Sequence, residues 1–212
     1  MIRDLGVVML NLKGLNILGI AGKKGSGKTT LTRNLQAYFN PEQDELLRYL
    51  NGPVRHLSFS SPVKQLVSML LDIPVQDFVN KETLHQPSGK TYREILQLFG
   101  TDWMRSLDEQ VWVRQAAKTI RTNQRVPDIH LWVIDDVRFP NEIEFIHSMK
   151  GKVIYLYRGV GDDAHSSENS ILSYDCDFSI DCRTLTQEEV RNAALDYLTT
   201  QTDWIEQGDK HA

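Results

Sequence analysis

Residues 22–29 read Gly-Lys-Lys-Gly-Ser-Gly-Lys-Thr and match the phosphate-binding pattern G-x-x-x-x-G-K-S/T at every fixed position. An apolar run from Leu15 to Ala21 precedes this glycine loop, and a helical pattern follows it, with Leu31, Leu35 and Phe39 on one face. A strand, a loop and a helix are the context that the pattern needs, because loop N–H groups and the helix N-terminus together bind phosphate oxygens. The alternative interpretation is an ordinary glycine turn.

The loop predicts which residues hold the phosphates of a nucleotide. We expect Lys28 to reach the β- and γ-phosphates and the hydroxyl of Thr29 to bind Mg²⁺. The predicted cofactor-binding residues are Gly22, Lys24, Gly25, Ser26, Gly27, Lys28, Thr29 and Thr30.

The length and composition limit the classes of protein to which the chain can belong. The chain has 212 residues, is 41% hydrophobic and carries a net charge of −4, which suits one domain with or without a small lid. This charge gives no general reason to expect a nucleic acid polymer as partner, and no apolar run approaches the roughly 20 residues that span a bilayer. Cys176 and Cys182 are too few for a disulfide framework, so we expect reduced thiols in a cytoplasmic protein.

Strand and helix patterns alternate along the chain. Five strands separated by helices predict an α/β fold, in which a parallel sheet is covered by helices on both faces. We expect a single domain over 1–212, with a helical insert at about 61–125 and a lid loop at about 158–174. After the first strand, the predicted strands are Val54 to Phe59, Ile129 to Ile134, Lys152 to Tyr157 and Asp177 to Ile180.

Local signals predict where several helices begin. Ser61 at the N-cap and Pro62 at the first helical position predict a helix N-terminus. The stretch Ser106 to Glu109 fits a capping box, and so does Thr186 to Glu189. The first of these boxes would begin a helix that runs to about Thr122.

Glycines and polar residues predict where other elements end. Tyr92 to Phe99 has a helical pattern that Gly100 should stop, and Gly151 should close a helix over Asn141 to Lys150. The polar stretch Asn80 to Lys90 is predicted to be an exposed loop.

Charged side chains follow the predicted strands. Lys64 comes after the second strand, Asp135, Asp136 and Arg138 after the third, and Arg158 after the fourth. Ligands of parallel sheets bind at the carboxyl ends of the strands, so these residues and the glycine loop predict one shared site.

The apolar run Leu131 to Ile134 ends in two aspartates. Such a strand often supplies a carboxylate that holds Mg²⁺, and we assign the metal to Asp135 together with Thr29. Asp136 is assigned as a base or orienter of the attacking group. Because side chains alternate along a strand, the two aspartates should face opposite ways, which leaves open which of them serves the metal. In the alternative, one of them caps the next helix.

Several basic residues are candidates for gripping a second phosphate. The planar guanidinium of Arg138 suits a bidentate contact, and Lys64 could reach the same anion. Arg93, Arg105 and Arg114 lie in the helical insert, although each taken singly also fits a solvated surface arginine.

Arg158 begins the polar segment Gly159 to Ser173. Its glycines and small polar residues suit a loop that closes over phosphates, and they equally suit a plain surface loop.

Five stretches carry a more specific combination of residues: the glycine loop, Phe59 to Lys64, Leu98 to Asp102 followed by Asp108 and Trp112, Asp135 to Glu142, and His165 to Glu168. In these stretches the chain resembles the deoxynucleoside monophosphate kinases of bacteriophages. That family often has aspartate after the loop lysine, where this chain has Thr29. Thr is the more frequent Mg²⁺ ligand in other families.

The resemblance implies a P-loop kinase fold and a nucleoside monophosphate kinase that phosphorylates deoxynucleoside monophosphates with ATP and Mg²⁺. It implies no membrane partner and, for a viral protein, the host cytoplasm; a homodimer is left open. The catalytic residues would be Lys28, Arg138, Arg158 and Asp136. The substrate-binding residues would be Lys64, Arg93, Arg105, Arg114, Arg138, Trp112 and Glu168.

Two other functions are compatible with these patterns. The first is another small-molecule kinase, because the resemblance extends more weakly to phosphomevalonate kinases of the animal type. The second is an ATPase that acts as a switch or motor subunit. Such subunits usually carry a hydrolytic glutamate near the second aspartate motif, where this chain has Asp135 and Asp136.

Overall fold

The computed structural model of the chain describes residues 16–39, 54–123, 129–159 and 175–201. Most of the predicted lid, including Glu168, lies outside these ranges.

A five-stranded parallel sheet forms the centre of the fold, in the spatial order β2-β5-β1-β6-β7. A two-stranded antiparallel hairpin, β3 with β4, stands apart from it. The sheet confirms the predicted α/β class. In chain order the strands are β1 (Asn16–Ala21), β2 (Val54–Leu57), β3 (Leu84–His85), β4 (Lys90–Thr91), β5 (Leu131–Val137), β6 (Lys152–Tyr157) and β7 (Phe178–Asp181).

Helices cover both faces of the sheet and make three layers. The helices are α1 (Lys28–Phe39), α2 (Ser61–Leu71), α3 (Tyr92–Gln97), α4 (Met104–Leu107), α5 (Val111–Asn123), α6 (Pro140–Ser148) and α7 (Gln187–Thr199). Buried side chains of α1 and α7 pack on one face of the sheet, and those of α2, α5 and α6 pack on the other. Every residue of β1 is buried, as expected for a strand covered on both faces. The result is a three-layer α/β arrangement with the sheet between two layers of helices.

The stretch Asn80 to Lys90 is largely exposed, as predicted, but it is not a plain loop, because β3 and β4 pair within it. A short 3₁₀ helix, Val75–Val79, precedes the hairpin and buries Phe78 against the ring of Tyr92, with ring centroids 5.3 Å apart. The backbone N–H of Arg93 donates to the carbonyl of Lys81 at 2.8 Å. These contacts hold the polar segment against the start of α3.

Gly100 does not stop the helix that begins at Tyr92. The chain continues from α3 through a π-helix, Leu98–Trp103, into α4. A Cβ on Gly100 would lie 3.2 Å from Cγ2 of Val63, so the glycine permits close packing of the insert on α2. The capping box at Ser106 is also wrong, because the hydroxyl of Ser106 donates to the carbonyl of Trp103 and α5 begins only at Val111.

Other predicted boundaries hold or shift by a few residues. The capping box at Thr186 is confirmed at the start of α7. The N-cap of α2 is Ser60 rather than Ser61, with Pro62 in the first turn as predicted. The strand β5 extends beyond its predicted end and contains both Asp135 and Asp136.

Gly151 follows the C-terminus of α6 at a point of very close packing. Lys150 takes the left-handed turn conformation, with φ of 58°, and the N–H of Gly151 donates to the carbonyl of Ile146 at 2.8 Å. A Cβ at position 151 would lie 2.7 Å from the carbonyl oxygen of Ile17 and 2.6 Å from Cγ2 of Ile146. The glycine therefore lets α6 pack directly on β1.

Across the described ranges, no helix combines the length and the apolar character required of a membrane span.

We expect Gly151→Ala to destabilise the protein by about 1–3 kcal/mol, because the new methyl group meets backbone atoms that cannot move without shifting α6 or β1. The exposed neighbour Ser148 gives the control Ser148→Ala, whose effect should stay within about 0.5 kcal/mol. Urea denaturation of both variants measures the difference. Equal stabilities would show that the close approach at Gly151 relaxes freely.

Candidate functional site

The glycine loop joins β1 to α1, and its backbone adopts conformations that favour glycine at three positions. Gly22, Gly25 and Gly27 have φ of 138°, 79° and 101°, in the region that favours glycine. A Cβ on Gly22 would lie 2.5 Å from the carbonyl oxygen of Leu156. The sequence pattern therefore reflects backbone conformation, and it leaves the loop amides free of side chains at the start of α1.

Lys28 lies across this loop. Its Nζ donates to the carbonyl of Gly22 at 2.5 Å and to that of Lys23 at 2.9 Å. The hydroxyl of Ser26 is buried and has no hydrogen-bond partner within the described residues. A buried hydroxyl without a partner is costly, and a phosphate oxygen in the loop is the kind of acceptor that would satisfy it. Thr30 lies beside Thr29 in the first turn of α1.

Asp135 connects the glycine loop to the neighbouring strand. Its carboxylate accepts a hydrogen bond from the hydroxyl of Thr29 at 2.9 Å and contacts Nε2 of His56 on β2 at 2.7 Å. Burial opposes the charge on Asp135, but the bonds from His56 and Thr29 and the charge of Lys28 lower its pKa below the usual value. Asp135 is therefore held as a carboxylate beside Thr29.

The contact of His56 with Asp135 was not predicted from the sequence. Burial lowers the pKa of His56, but the hydrogen bond to Asp135 and the charges of Asp135 and Asp136 outweigh it and raise the pKa. In the sequence it is a single histidine in a short strand, and only the register of β2 on β5 brings it to Asp135.

The two aspartates face opposite sides, as strand alternation predicts. The register of β1 on β5 slips between Gly19 and Ala21, which pair with Ile134 and Val137, so one extra residue is inserted on β5 at the aspartates. Asp136 faces away from the loop and accepts three hydrogen bonds from the turn after β2. The donors are the hydroxyl of Ser58 at 2.6 Å, the N–H of Phe59 at 2.9 Å and the N–H of Ser60 at 2.9 Å.

A cavity of about 100 Å³ lies on the side of β5 that Asp136 faces. Its lining includes four cationic side chains, Lys64, Lys81, Arg93 and Arg138, and the charges of the other three act on Lys81. The lining also includes the apolar or aromatic side chains Phe59, Val63, Leu96, Trp112 and Phe139. The cavity therefore combines a binding site for an anion with a surface that suits a flat apolar group.

Lys81 is a cavity residue that the sequence analysis did not predict, because it lies in the stretch that was predicted to be an exposed loop. Burial, together with the charges of Lys64, Arg138 and Arg93, lowers the pKa of Lys81 to about 8. Lysines this close to other cations repel one another, and an anion in the cavity would relieve that repulsion.

Arg93 lines the cavity and also joins the insert to the glycine loop. Its Nη2 lies 2.8 Å from Oε1 of Glu82, and the same oxygen lies 3.4 Å from Nζ of Lys24. We call this contact the Glu82 bridge. It places Lys24, a predicted cofactor-binding residue, beside the hairpin.

Arg105 lines the cavity but is largely engaged by α6. Its guanidinium lies 3.6 Å from the centroid of the Phe139 ring, donates to Asn141 Oδ1 at 2.7 Å and contacts Glu142 Oε1 at 3.2 Å. Burial raises the pKa of Glu142 to about 7, although the hydrogen bond from the N–H of Arg138 acts to lower it. That N–H donates to Glu142 at 2.7 Å, so Glu142 fixes the backbone that carries Arg138.

Three further predicted residues have different outcomes. Trp112 lines the cavity, and its indole N–H donates to the carbonyl of Gly100 at 2.7 Å. Arg114 is exposed on α5, forms an ion pair with Asp108 and does not line the cavity, so its predicted contact with substrate lacks support. Glu168 lies outside the described residues.

Arg158 lies directly after β6 and beside the glycine loop. A Cβ on Gly27 would lie 4.0 Å from Nη2 of Arg158, and the buried Nε of Arg158 has no hydrogen-bond partner within the described residues. A donor of this kind, next to a phosphate-binding loop, is suited to a phosphate oxygen.

The donors present fit Mg²⁺ as it is bound with phosphates. The described residues contain no group of three or more acidic, histidine or cysteine side chains that could hold a metal. Mg²⁺ at phosphate sites usually takes only one or two protein oxygens together with phosphate and water. The hydroxyl of Thr29 and the carboxylate of Asp135, which lie 2.9 Å apart, are oxygen donors of the required kind.

Comparisons with known proteins show a match to one protein family. A family model described as deoxynucleotide monophosphate kinase matches residues 45–186, which is more than half of the chain and begins after the glycine loop. Among solved structures, shikimate kinase from Aquifex aeolicus is similar with a TM-score of 0.41 and 14% sequence identity, over 88% of this chain and 99% of that chain. No curated protein matches the chain at a significant level.

We expect Lys81→Met to stabilise the protein at neutral pH, because it removes a charge that the folded cavity disfavours. The gain should be about 1–3 kcal/mol, and urea denaturation measures it. Between the folded pKa of about 8 and the ordinary value of 10.5, the unfolded wild-type chain holds a proton that the folded protein has lost. The stability of the wild type therefore rises with pH over this window, and the advantage of the variant should disappear above it.

The exposed Lys118 on α5 gives the control, and Lys118→Met should bring no gain that disappears with rising pH. A Lys81→Met protein that is less stable than the wild type at neutral pH would contradict the argument from cationic repulsion.

Proposed function

Because the chain belongs to the deoxynucleotide monophosphate kinase family, we propose that it transfers the terminal phosphate of ATP to a deoxynucleoside monophosphate, producing ADP and a diphosphate. The observation that carries this proposal is the end of β5, where Asp135 faces the glycine loop and Asp136 faces the cationic cavity. A donor site and an acceptor site then lie on the two sides of a single strand end.

On the donor side, the glycine loop binds the triphosphate of ATP. Its backbone amides and the N-terminus of α1 contact the phosphate oxygens, and the Ser26 hydroxyl gains the acceptor that it lacks within the protein. Lys28 exchanges its contacts with Gly22 and Lys23 for phosphate oxygens. Thr29 and Asp135 would hold Mg²⁺, which supplies charge neutralisation at the β- and γ-phosphates.

On the acceptor side, the cationic part of the cavity binds the phosphate of the monophosphate. Arg138 provides a bidentate contact from a backbone that Glu142 fixes, and Lys64, Lys81 and Arg93 surround the same anion. The apolar part of the cavity receives the base, with Trp112 as its largest flat surface.

The chemistry requires no nucleophile from the protein. An oxygen of the acceptor phosphate forms a bond to the γ-phosphorus of ATP, and the bond from that phosphorus to the β–γ bridging oxygen breaks. The second pKa of a phosphate monoester is about 6, so the attacking oxygen is already ionised at neutral pH. Asp136, whose carboxylate holds the turn at Ser58 to Ser60, acts as a positioning residue in this scheme.

Arg158 completes the cationic surroundings of the transferred group. Its place beside Gly27 lets its guanidinium contact the γ-phosphate.

Lys28→Ala should lower kcat by at least about a hundredfold, the usual effect of removing a preorganised charge from a transferring group. The measurement is ADP release from ATP and Mg²⁺ in the presence of each of the four deoxynucleoside monophosphates. Lys118→Ala, at an exposed site on α5, is the matched control and should keep the wild-type rate. Near wild-type transfer by a folded Lys28→Ala protein would refute the donor site.

Arg138→Lys keeps the charge of the cavity but loses the planar fork of the guanidinium. We expect the dissociation constant of the deoxynucleoside monophosphate to rise about tenfold, while that of ATP changes little. Separate calorimetric titrations with the two ligands measure both constants. A defect confined to ATP binding would move Arg138 to the donor side.

A further inference from the structure

The helical wall of the cavity carries two uncharged polar side chains, which lie in the sequence between the cationic Arg93 and Arg105. Gln97 is the last residue of α3, and Thr101 lies in the π-helix that follows it. Both line the cavity together with Leu96, Gly100 and Trp112. Neither the amide of Gln97 nor the hydroxyl of Thr101 makes a side-chain hydrogen bond within the described residues.

The charges of Lys64, Arg93 and Arg138 act on Lys81, so these four cationic side chains lie close together and mark one end of the cavity as the phosphate end. A nucleoside monophosphate carries its charge at one end and a flat aromatic base at the other. Arg105 is engaged by Asn141 and Glu142, so the uncharged stretch with Gln97 and Thr101 is the part of the helical wall that remains for the base.

The shape of this wall depends on the π-helix. Single π-helical turns are rare and are often found at functional sites. Here the turn presents the carbonyl of Gly100 to the indole N–H of Trp112, at 2.7 Å, and so fixes the ring of Trp112 beside Thr101. Gly100 itself packs against Val63, which leaves little freedom for the wall to move.

We propose that Gln97 and Thr101 read the edge of the acceptor base and set the base preference of the enzyme, an inference that rests on the proposed function. A carboxamide offers one donor and one acceptor side by side, and a hydroxyl offers both in one group. The pairing edge of each base presents neighbouring donors and acceptors of the same kind. The flat ring of Trp112 packs against the base, and the two polar side chains distinguish one base from another.

The experiment compares acceptors with and without a base. Calorimetry gives the dissociation constants of the four deoxynucleoside monophosphates and of 2-deoxyribose 5-phosphate, which carries the phosphate and sugar alone. In Gln97→Leu and in Thr101→Val, the preferred nucleotide should bind about tenfold more weakly, whereas 2-deoxyribose 5-phosphate should bind as in the wild type. A general loosening of the cavity would instead weaken both classes of ligand by the same factor.

A third variant tests the chemistry of the contact. Gln97→Glu replaces the amide donor by a second acceptor, so dGMP, whose guanine presents the neighbouring N1–H and 2-amino donors, should gain relative to the other three nucleotides, whose bases present one donor group each on that edge. The comparison uses kcat/KM ratios within each variant, which cancel any common loss of activity. Gln115→Leu and Thr122→Val, at exposed positions on α5, make the same substitutions outside the cavity and should leave the ratios unchanged.

Unchanged base ratios in all three cavity variants would overturn the inference and leave the kinase function intact. A folded wild-type protein that phosphorylates none of the four nucleotides would instead remove the proposed function, and the inference with it.

Discussion

The alternation of side chains at the end of β5 organises the whole site. Asp135 and Asp136 are consecutive, yet one contacts Thr29 of the glycine loop and the other holds the turn that borders the cavity. The end of one strand therefore positions a carboxylate beside the glycine loop and another beside the cavity, because alternation along β5 sends the two side chains to opposite faces. An insertion or deletion at this point would exchange the faces of the two aspartates, so that Asp135 would lose its contact with the glycine loop and Asp136 its contact with the turn at the cavity.

The cavity shows how the protein accommodates charge that its fold disfavours. Among the described residues that line it are five cationic side chains, Lys64, Lys81, Arg93, Arg105 and Arg138, and two carboxylates, Asp136 and Glu142. Both carboxylates are bound to backbone N–H groups, and the pKa of Glu142 is raised to about 7, so they neutralise the cations incompletely. The remaining positive charge is unfavourable in the folded protein and favourable for a dianionic ligand, a frequent compromise between stability and binding.

The sequence was sufficient to predict the class of fold and the place of the glycine loop between a strand and a helix. Both depend on local patterns: apolar runs for the strands, three glycines with positive φ, and Lys28 and Thr29 at fixed spacing. The positions of Lys64, Arg138 and Arg158 also follow from local order, because the carboxyl ends of parallel strands meet at one edge of the sheet.

The cavity could not be predicted in the same way. Lys81 lies in a polar stretch whose pairing with Arg93 is visible only in the hairpin, and His56 reaches Asp135 only through the register of neighbouring strands. A glycine at position 100 predicts the end of a helix, but the helical chain continues beyond it, where Gly100 packs against Val63 and accepts a hydrogen bond from Trp112. In each case the structure is determined by a contact between residues that are distant in the chain and not by the local sequence pattern.

The Glu82 bridge has a consequence for the solution conditions under which the site works. It connects Lys24 of the glycine loop to Arg93 of the insert through an exposed carboxylate, and exposed ion pairs of this kind add little to folding stability. Their attraction is nevertheless screened by dissolved ions over about 8 Å at physiological ionic strength. A rise in salt concentration therefore weakens the link that Glu82 makes between Lys24 of the glycine loop and Arg93 of the insert, whereas the apolar contacts around the sheet involve no charges to be screened.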